Sequence, residues 1–295
     1  MPAAKNAPPA PPVAIGGVGG SGTRLVADLV RALGVHTGDD LNAASDTLWF
    51  TLLFKTRRVL QWTDAQFAAS VDALRAGLCR GSPLGDALRA RVLELAGEDR
   101  PSHPVEWLEP RARSLIASAS SDPHGGRWGW KEPNTHVVIN RIWTHLPELR
   151  YIHVVRHGLD MAFSRNQNQL RLWGAHVLGT DGPASPERSL AYWCRTHQRM
   201  QRLIADNAHR MYWLDYDALC RAPAEEAAKL CRFLECPLPP ALPLLDKVRQ
   251  PGVPRHAGVD LRSFPGEDLD YVRSLGYCIV GSHARTGERA AQAQT

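Results

Sequence analysis

The chain has 295 residues, of which 44% are hydrophobic and 22% charged; these are the proportions of a soluble globular protein, and at about this length ~75% of the unfolded surface is buried, enough for one large domain or two small ones. Its net charge of +5, with 12 histidines besides, suits an anionic ligand such as a nucleotide, while basic residues spread along the chain and not gathered in one stripe argue against a nucleic-acid partner. No apolar run reaches the ~18 residues that a membrane span needs.

The opening MPAAKNAPPAPP carries no hydrophobic signal core, so a cytoplasmic location is expected, and residues 1–12 read as a Pro/Ala tail that cannot pack. The run VAIGGV from Val13 reads as the first strand. A glycine-rich turn follows it, and Leu25, Val26, Leu29, Val30 and Leu33 then form the apolar stripe of a helix from about Thr23 to Gly34. The next scrap, LGVHTGDD, is too short to establish a second strand. From about residue 42 to 122 the pattern is helical, with FAASVDALRAGL and PLGDALRARVLELAG at helical spacing and no convincing strand. Such an insertion is either structural or a cap over the ligand-binding edge of a sheet.

Three further strands are RWGWK ending at Lys131, RYIHVV ending at Val155, and RMYWLDY ending at Tyr216. A helix is expected to begin near Leu159, directly after the third strand. Strands alternating with helices predict an α/β domain, residues 13–281, with a central parallel sheet flanked by helices. The stretch RFLECPLPPALP ends a helix, and residues 282–295 read as a second loose tail. The six cysteines include no C-x-x-C pair, so they read as scattered reduced thiols.

The glycine turn satisfies three nucleotide-binding patterns at once. Gly17, Gly19 and Gly22 spell G-x-G-x-x-G, the dinucleotide fingerprint. Gly17 to Thr23 approximate a P-loop, but Thr23 stands where that loop has its lysine, and Arg24 where it has the magnesium-holding Ser or Thr. The third pattern is S-G-T opening a helix after a strand. In each case glycines let backbone N–H groups approach an anion, and the first helical turn faces it. Ser21 and Thr23 add hydroxyls. Asp39 and Asp40 lie near the ~20-residue offset of a ribose-binding carboxylate, so the turn alone leaves the choice open.

The stretch RYIHVVRHGLDMAFS decides it. Its strand delivers Arg156 to the carboxyl edge of the sheet, and Ser164 falls eight residues later, in the second turn of the expected helix. There its hydroxyl leans back toward the guanidinium, and together they offer phosphate a planar fork and one further donor.

Together the two motifs resemble those of the PAPS-dependent sulfotransferase family. The resemblance runs from Val13 to about Leu238, apart from the helical insertion. It implies the P-loop-like sulfotransferase fold, PAPS as co-substrate, PAP as product and no required metal. Gly19, Gly20, Ser21, Gly22, Thr23 and Arg24 correspond to the loop that grips the 5′-phosphosulfate, and Arg156 and Ser164 to the pair that binds the 3′-phosphate. Asp160 keeps step with the second motif. Tyr216 matches a tyrosine near the adenine, and Arg255, in RQPGVPRHAG, a late basic residue also at the 3′-phosphate.

The chain departs from the family at Gly20, where a lysine or arginine normally precedes S-G-T; Arg24 is the available substitute. Lys131, in WGWKEPNTH, is the expected stabiliser of charge on the leaving oxygen, and Pro133 forces Glu132 into extended geometry beside it. The family's K-T-H histidine is replaced by Pro133. Other members of the family place a glutamate shortly after the first helix, and HTGDDLN stands at a similar offset, so the resemblance implies Asp40 or Asp39 as the favoured base for the acceptor's proton, with His36 and His136 in reserve and Asp39 also suited to capping a helix. Trp49, Phe50, Phe54 and Trp173 are candidate linings for an acceptor pocket. The acceptor itself, whether small molecule, glycan or peptide, is not encoded in composition. Two rivals stand beside this reading: a nucleotide kinase or NTPase with a degenerate phosphate loop, and a PAP-binding protein of the same fold that has lost catalysis.

Overall fold

The computed structural model describes residues 10–250 and 252–279. The two expected tails therefore lie outside the described residues except at 10–12, and there the chain is tied down. The carbonyl of Pro12 accepts from the Arg150 amide at 2.9 Å, and that of Pro11 from Arg127 Nε at 2.8 Å.

All four expected strands form. They are β1 (Val13–Gly17), β2 (Gly129–Lys131), β3 (Arg150–Val155) and β4 (Met211–Asp215). They build one parallel sheet in the order β2-β1-β3-β4. The scrap LGVHTGDD adds a single parallel bridge, His36 to Trp128, at the outer edge of β2.

The helices are α1 (Thr23–Ala32), α2 (Leu48–Phe54), α3 (Asp64–Cys79), α4 (Asp86–Ala96), α5 (Val105–Ala119), α6 (Thr135–His145), α7 (Gly158–Ala162), α8 (Asn168–Leu178), α9 (Pro186–Asn207), α10 (Tyr216–Arg221), α11 (Pro223–Leu234) and α12 (Gly266–Ser274), with a 3-10 turn at Arg57–Gln61. Of the four helices between α1 and β2, the sequence pattern reveals α3 and α4. The other two hide for physical reasons. Every residue of α2 is buried, so it has no polar face to set a period. Helix α5 carries Pro110 in its interior, where proline removes a backbone donor and ordinarily breaks a helix.

Side chains alternate across a strand, and the sheet uses both faces. Val13 and Ile15 of β1 and Ile152 and Val154 of β3 pack on one side with Val26, Leu29 and Val30 of α1 and Leu230 of α11. Ala14, Trp130, Tyr151 and Val155 pack on the other with α2–α6 and α9. Strands buried on both faces read as continuous apolar runs, as all-parallel sheets require. Burying each large aliphatic side chain of α1 contributes about 1.5–3 kcal/mol. Trp49, Phe50, Phe54 and Trp173 are 1–2% exposed. They fill this core and do not line a pocket, which corrects that expectation: on α2 and α8 they face inward between helices.

Three histidines are sealed in the same core. His136 of α6, His153 of β3 and His197 of α9 are at most 2% exposed. Burial lowers the His136 pKa to about 4 and that of His197 to about 3, and pushes His153 well below its ordinary value. Each stays neutral in the folded chain but takes up a proton near pH 6.5 when unfolded. Below that pH the unfolded state binds more protons, so stability falls as pH falls, by about 1.4 kcal/mol per pH unit for each histidine. The urea midpoint is expected to drop steeply from pH 6.5 toward 4, and His197→Phe to reduce the slope by about one proton; a flat profile overturns the assignment.

Candidate functional site

The carboxyl ends of the strands carry the expected residues. After β1 the chain turns at Val18–Gly22, with the Ser21 amide donating to the Val18 carbonyl at 3.0 Å. Gly20 and Gly22 have φ of 96° and 93°, left-handed values that side chains rarely tolerate. Gly22 caps α1, so the free amides of its first turn open onto this loop. Ser21 is 1% exposed and Thr23 4%. The Ser21 hydroxyl is fully buried yet has no hydrogen-bond partner among the described residues. Buried polar groups in native structures are nearly always paired, so an unpaired hydroxyl beside free amides fits an oxyanion ligand.

Arg156 follows β3, which is in register with β1 from Val13↔Arg150 to Gly17↔Val154. Its guanidinium stands 5.1 Å above the ring of Tyr216, the first residue of α10. That ring lies against Gly22 so closely that a Cβ there would come within 2.1 Å of it. The stack Arg156–Tyr216–Gly22 thus carries the guanidinium to the start of α1. Arg156 Nε is buried with no hydrogen-bond partner, and the nearest carboxylate, Asp160, stands 3.9 Å from Nη2, beyond hydrogen-bonding reach.

Ser164 reaches the same place from the other side: a Cβ on Gly20 would meet its Oγ at 3.4 Å. Its setting differs from the expectation. Helix α7 stops at Ala162, so Ser164 stands past the helix end, not in its second turn. Its position is set by the exit turn, in which its amide donates to Met161 at 3.0 Å, while its Oγ accepts from the Asn166 amide at 3.2 Å.

Asp160 explains why the second motif contains an acid. Its Oδ1 accepts from the Arg255 amide at 2.8 Å and lies 3.0 Å from His256 Nδ1. Arg255 Nη1 also donates to the Asp160 carbonyl at 3.3 Å. Burial alone would raise this carboxyl, but hydrogen bonds from His256 and the Arg255 backbone outweigh it and leave the pKa lowered. The late loop is thereby fastened beside Arg156. Ligand atoms of His157, Asp160 and His256 lie within 4.8 Å of one another, close enough to suit a metal ion. Both nitrogens of His157 are already engaged, Nδ1 by the Leu159 amide at 3.2 Å and Nε2 by the Cys278 carbonyl at 2.9 Å, so the cluster acts as a tether.

Lys131 ends β2 beside Ile15, and the extended geometry forced by Pro133 lets Glu132 donate to the Ile15 carbonyl at 3.0 Å. The Lys131 side chain is buried. Its Nζ donates to the Ala44 carbonyl at 3.0 Å and to the Asp46 carboxylate. The backbone of Thr47 straps this loop to β2 through the Lys131 carbonyl at 2.7 Å. Arg24 is exposed and reaches the same loop at Ala43, 3.4 Å away.

The two acids favoured from sequence face elsewhere. Asp39 pairs with Arg80 at the end of α3, and Asp40 accepts from Ser114 of α5 at 3.3 Å. Both belong to the helical layer beyond β2. This also removes the dinucleotide reading, because the strand neighbours of β1 are β2 and β3, and the scrap leading to Asp39 lies outside β2. The acid that sequence reasoning missed is Asp46. Only the return of the loop onto β2 distinguishes it from its neighbours. Of the reserve histidines, His136 is sealed between the Pro133 carbonyl at 2.8 Å and the Tyr192 hydroxyl at 3.3 Å, and His36 stacks on His124.

Gly22 is the position where this geometry is most easily broken. Gly22→Ala places a methyl group inside the Tyr216 ring and strains a positive φ, so a loss of about 2–4 kcal/mol is expected. Urea denaturation checks it, and a loss below about 0.5 kcal/mol would show that the ring does not rest on the loop.

The profile of the sulfotransferase family matches residues 11–240. No curated protein gives a significant match. Among solved structures, the chain is similar to the sulfotransferase domain from the Synechococcus PCC 7002 olefin synthase, at 16% identity over 94% of this chain and 98% of that one, with a TM-score of 0.46. It is also similar to the sulfotransferase STF9 from Mycobacterium avium, at 17% identity, 92% and 76% coverage and a TM-score of 0.46, and to the sulfotransferase domain from the curacin biosynthetic pathway, at 14% identity, 93% and 100% coverage and a TM-score of 0.46. With a strand–loop–helix cradle and its partner strand inside the matched span, the chain belongs to the sulfotransferase family.

Proposed function

We propose that this protein transfers a sulfuryl group from PAPS to an acceptor hydroxyl or amine. The observation that carries this reading is the convergence of two unpartnered buried groups, Ser21 Oγ and Arg156 Nε, on one glycine loop that Ser164 also touches. Residues 19–24 hold the 5′ end of the donor through loop amides and hydroxyls. Arg156, Ser164 and Arg255 hold the 3′-phosphate, and Tyr216 lies beside the base. When bound, the donor supplies an activated sulfuryl group: the bond from sulfur to the bridging phosphate oxygen breaks, a bond from sulfur to the acceptor atom forms, and the acceptor's proton departs.

Lys131 has three N–H donors, two of them engaged by Ala44 and Asp46; the third is assigned to the leaving oxygen, whose growing charge it stabilises. For the departing proton, Asp39 and Asp40 are held by Arg80 and Ser114. The acceptor's proton is therefore assigned to Asp46, which shares the Lys131 ammonium and accepts from Asn42 at 2.8 Å.

Arg156→Ala is expected to weaken PAP binding by about tenfold or more, measured by calorimetry, with ADP binding weakly to either protein. Unchanged PAP affinity removes the 3′-phosphate assignment. Labelled-sulfate transfer across an acceptor panel then separates an active enzyme from a PAP-binding protein without turnover. Lys131→Ala and Asp46→Asn should each lower kcat by about a hundredfold while leaving PAP affinity within about threefold. Turnover lost in Asp40→Asn and kept in Asp46→Asn would return the base to Asp40.

A further inference from the structure

A basic cleft shares no lining residue with the glycine loop. It is a cleft of about 510 Å³ between the 3-10 turn, α6, α8 and α9, within the size range of small-ligand sites. Arg195, Arg199 and Arg202 of α9 line it, at offsets of four and three that place them on one helical face. Arg141 of α6 stands among the same lining residues, and His176 of α8 adds a titratable group. The lining contains no carboxylate.

Arg141 and Arg199 are held in place but not neutralised. Arg199 donates to the carbonyls of His136 at 2.7 Å and Val137 at 3.4 Å and to Asn140 Oδ1 at 2.9 Å. Arg141 donates to the carbonyls of Val59, Trp62 and Thr63 at 3.0, 3.1 and 3.3 Å. Every one of these acceptors is neutral. Arg195 reaches Glu267 at 3.6 Å, and that is the one carboxylate paired with any of the four among the described residues. Burial lowers the Arg199 pKa, and the charge of Arg202 acts in the same direction. Like charges three and four residues apart on a helix repel, and a half-buried guanidinium without a counter-ion is costly. A bound anion relieves both penalties.

We propose that this cleft binds a compact polyanion bearing two or more phosphate or sulfate groups, at a site separate from the donor cradle. Guanidinium forks match such oxygens in pairs, and walls from two helices select a ligand able to bridge them over a single small anion. A compact cleft of this volume suits a small molecule, whereas an extended nucleic-acid backbone calls for a long basic stripe.

The test is calorimetric titration of inorganic tripolyphosphate into the full chain with PAP in excess, at constant ionic strength. The expected result is saturable binding at least about tenfold tighter than that of inorganic sulfate, weakened about tenfold or more by Arg202→Glu. Arg202 is exposed, so this change spares the framework contacts of Arg141 and Arg199. Arg113→Glu, at an exposed position on α5, makes the same change in net charge and is expected to leave the affinity unaltered. The proposal is overturned by no binding, by sulfate binding equally well, or by Arg113→Glu weakening the interaction as much as Arg202→Glu. Loss on Arg202→Glu reads this cleft whether or not PAP binds at the other site, so the two functional readings fail independently.

Discussion

The contact on which the carboxyl edge of this protein depends is the Tyr216 ring lying on the bare Cα of Gly22. Without a side chain at that position, β4 can deliver an aromatic ring onto the start of α1, and Arg156, just after β3, can stand over the same ring. Three elements that follow three different strands are thereby held in one stack. The positive φ of Gly22 serves the same end, since it turns the chain into α1 with the helix amides facing the loop. The glycine loop is thus organised by packing, and its neighbouring polar atoms, Ser21 Oγ and Arg156 Nε, are left without a hydrogen-bond partner among the described residues.

A second constraint is the strap that closes over β2. The Leu41–Thr47 bridge and the Thr47 backbone hold this loop to the strand end, which brings Asp46 to Lys131. The neighbouring residue Glu132 is wholly buried in the opposite sense. It pairs with Lys55 at 3.3 Å and receives Asn134 Nδ2 at 2.8 Å, and Asn134 in turn accepts from Trp173 Nε1 at 2.7 Å. Adjacent side chains on a strand point to opposite faces, so Lys131 is directed to the strap while Glu132 braces α6 and α8. Buried charges persist only when paired and hydrogen-bonded, and both members of this dipeptide meet that condition with partners from the region between α1 and β2. That region therefore holds the end of β2 as well as packing against the sheet.

The acidic residue of the second motif has a comparable structural duty. Asp160 collects the Arg255 amide and His256 and fastens the chain beyond α11 to α7. A segment more than ninety residues distant in sequence is thereby brought beside Arg156. Its hydrogen bonds satisfy the carboxylate, leaving the guanidinium of Arg156 only the looser contact at 3.9 Å.

Much of this was legible in the chain itself. Short strand-like runs located the four strands, the 3.6-residue stripe located α1, and the pairing of S-G-T with R-x7-S pointed to the glycine loop and Arg156, because each signal arises from neighbours close in sequence. What the sequence left open depends on contacts between distant segments. Asp39, Asp40 and Asp46 are alike in spacing and chemistry, and only the docking of the strap on β2 and of α3 and α5 beyond it sends the first two to Arg80 and Ser114 and the third to Lys131. The aromatic residues of α2 look equally suited to a pocket or a core until helices close around them. Local pattern determined the elements and the glycine loop; tertiary packing decided which charges meet, since a side chain's partner is set by where its whole element is buried.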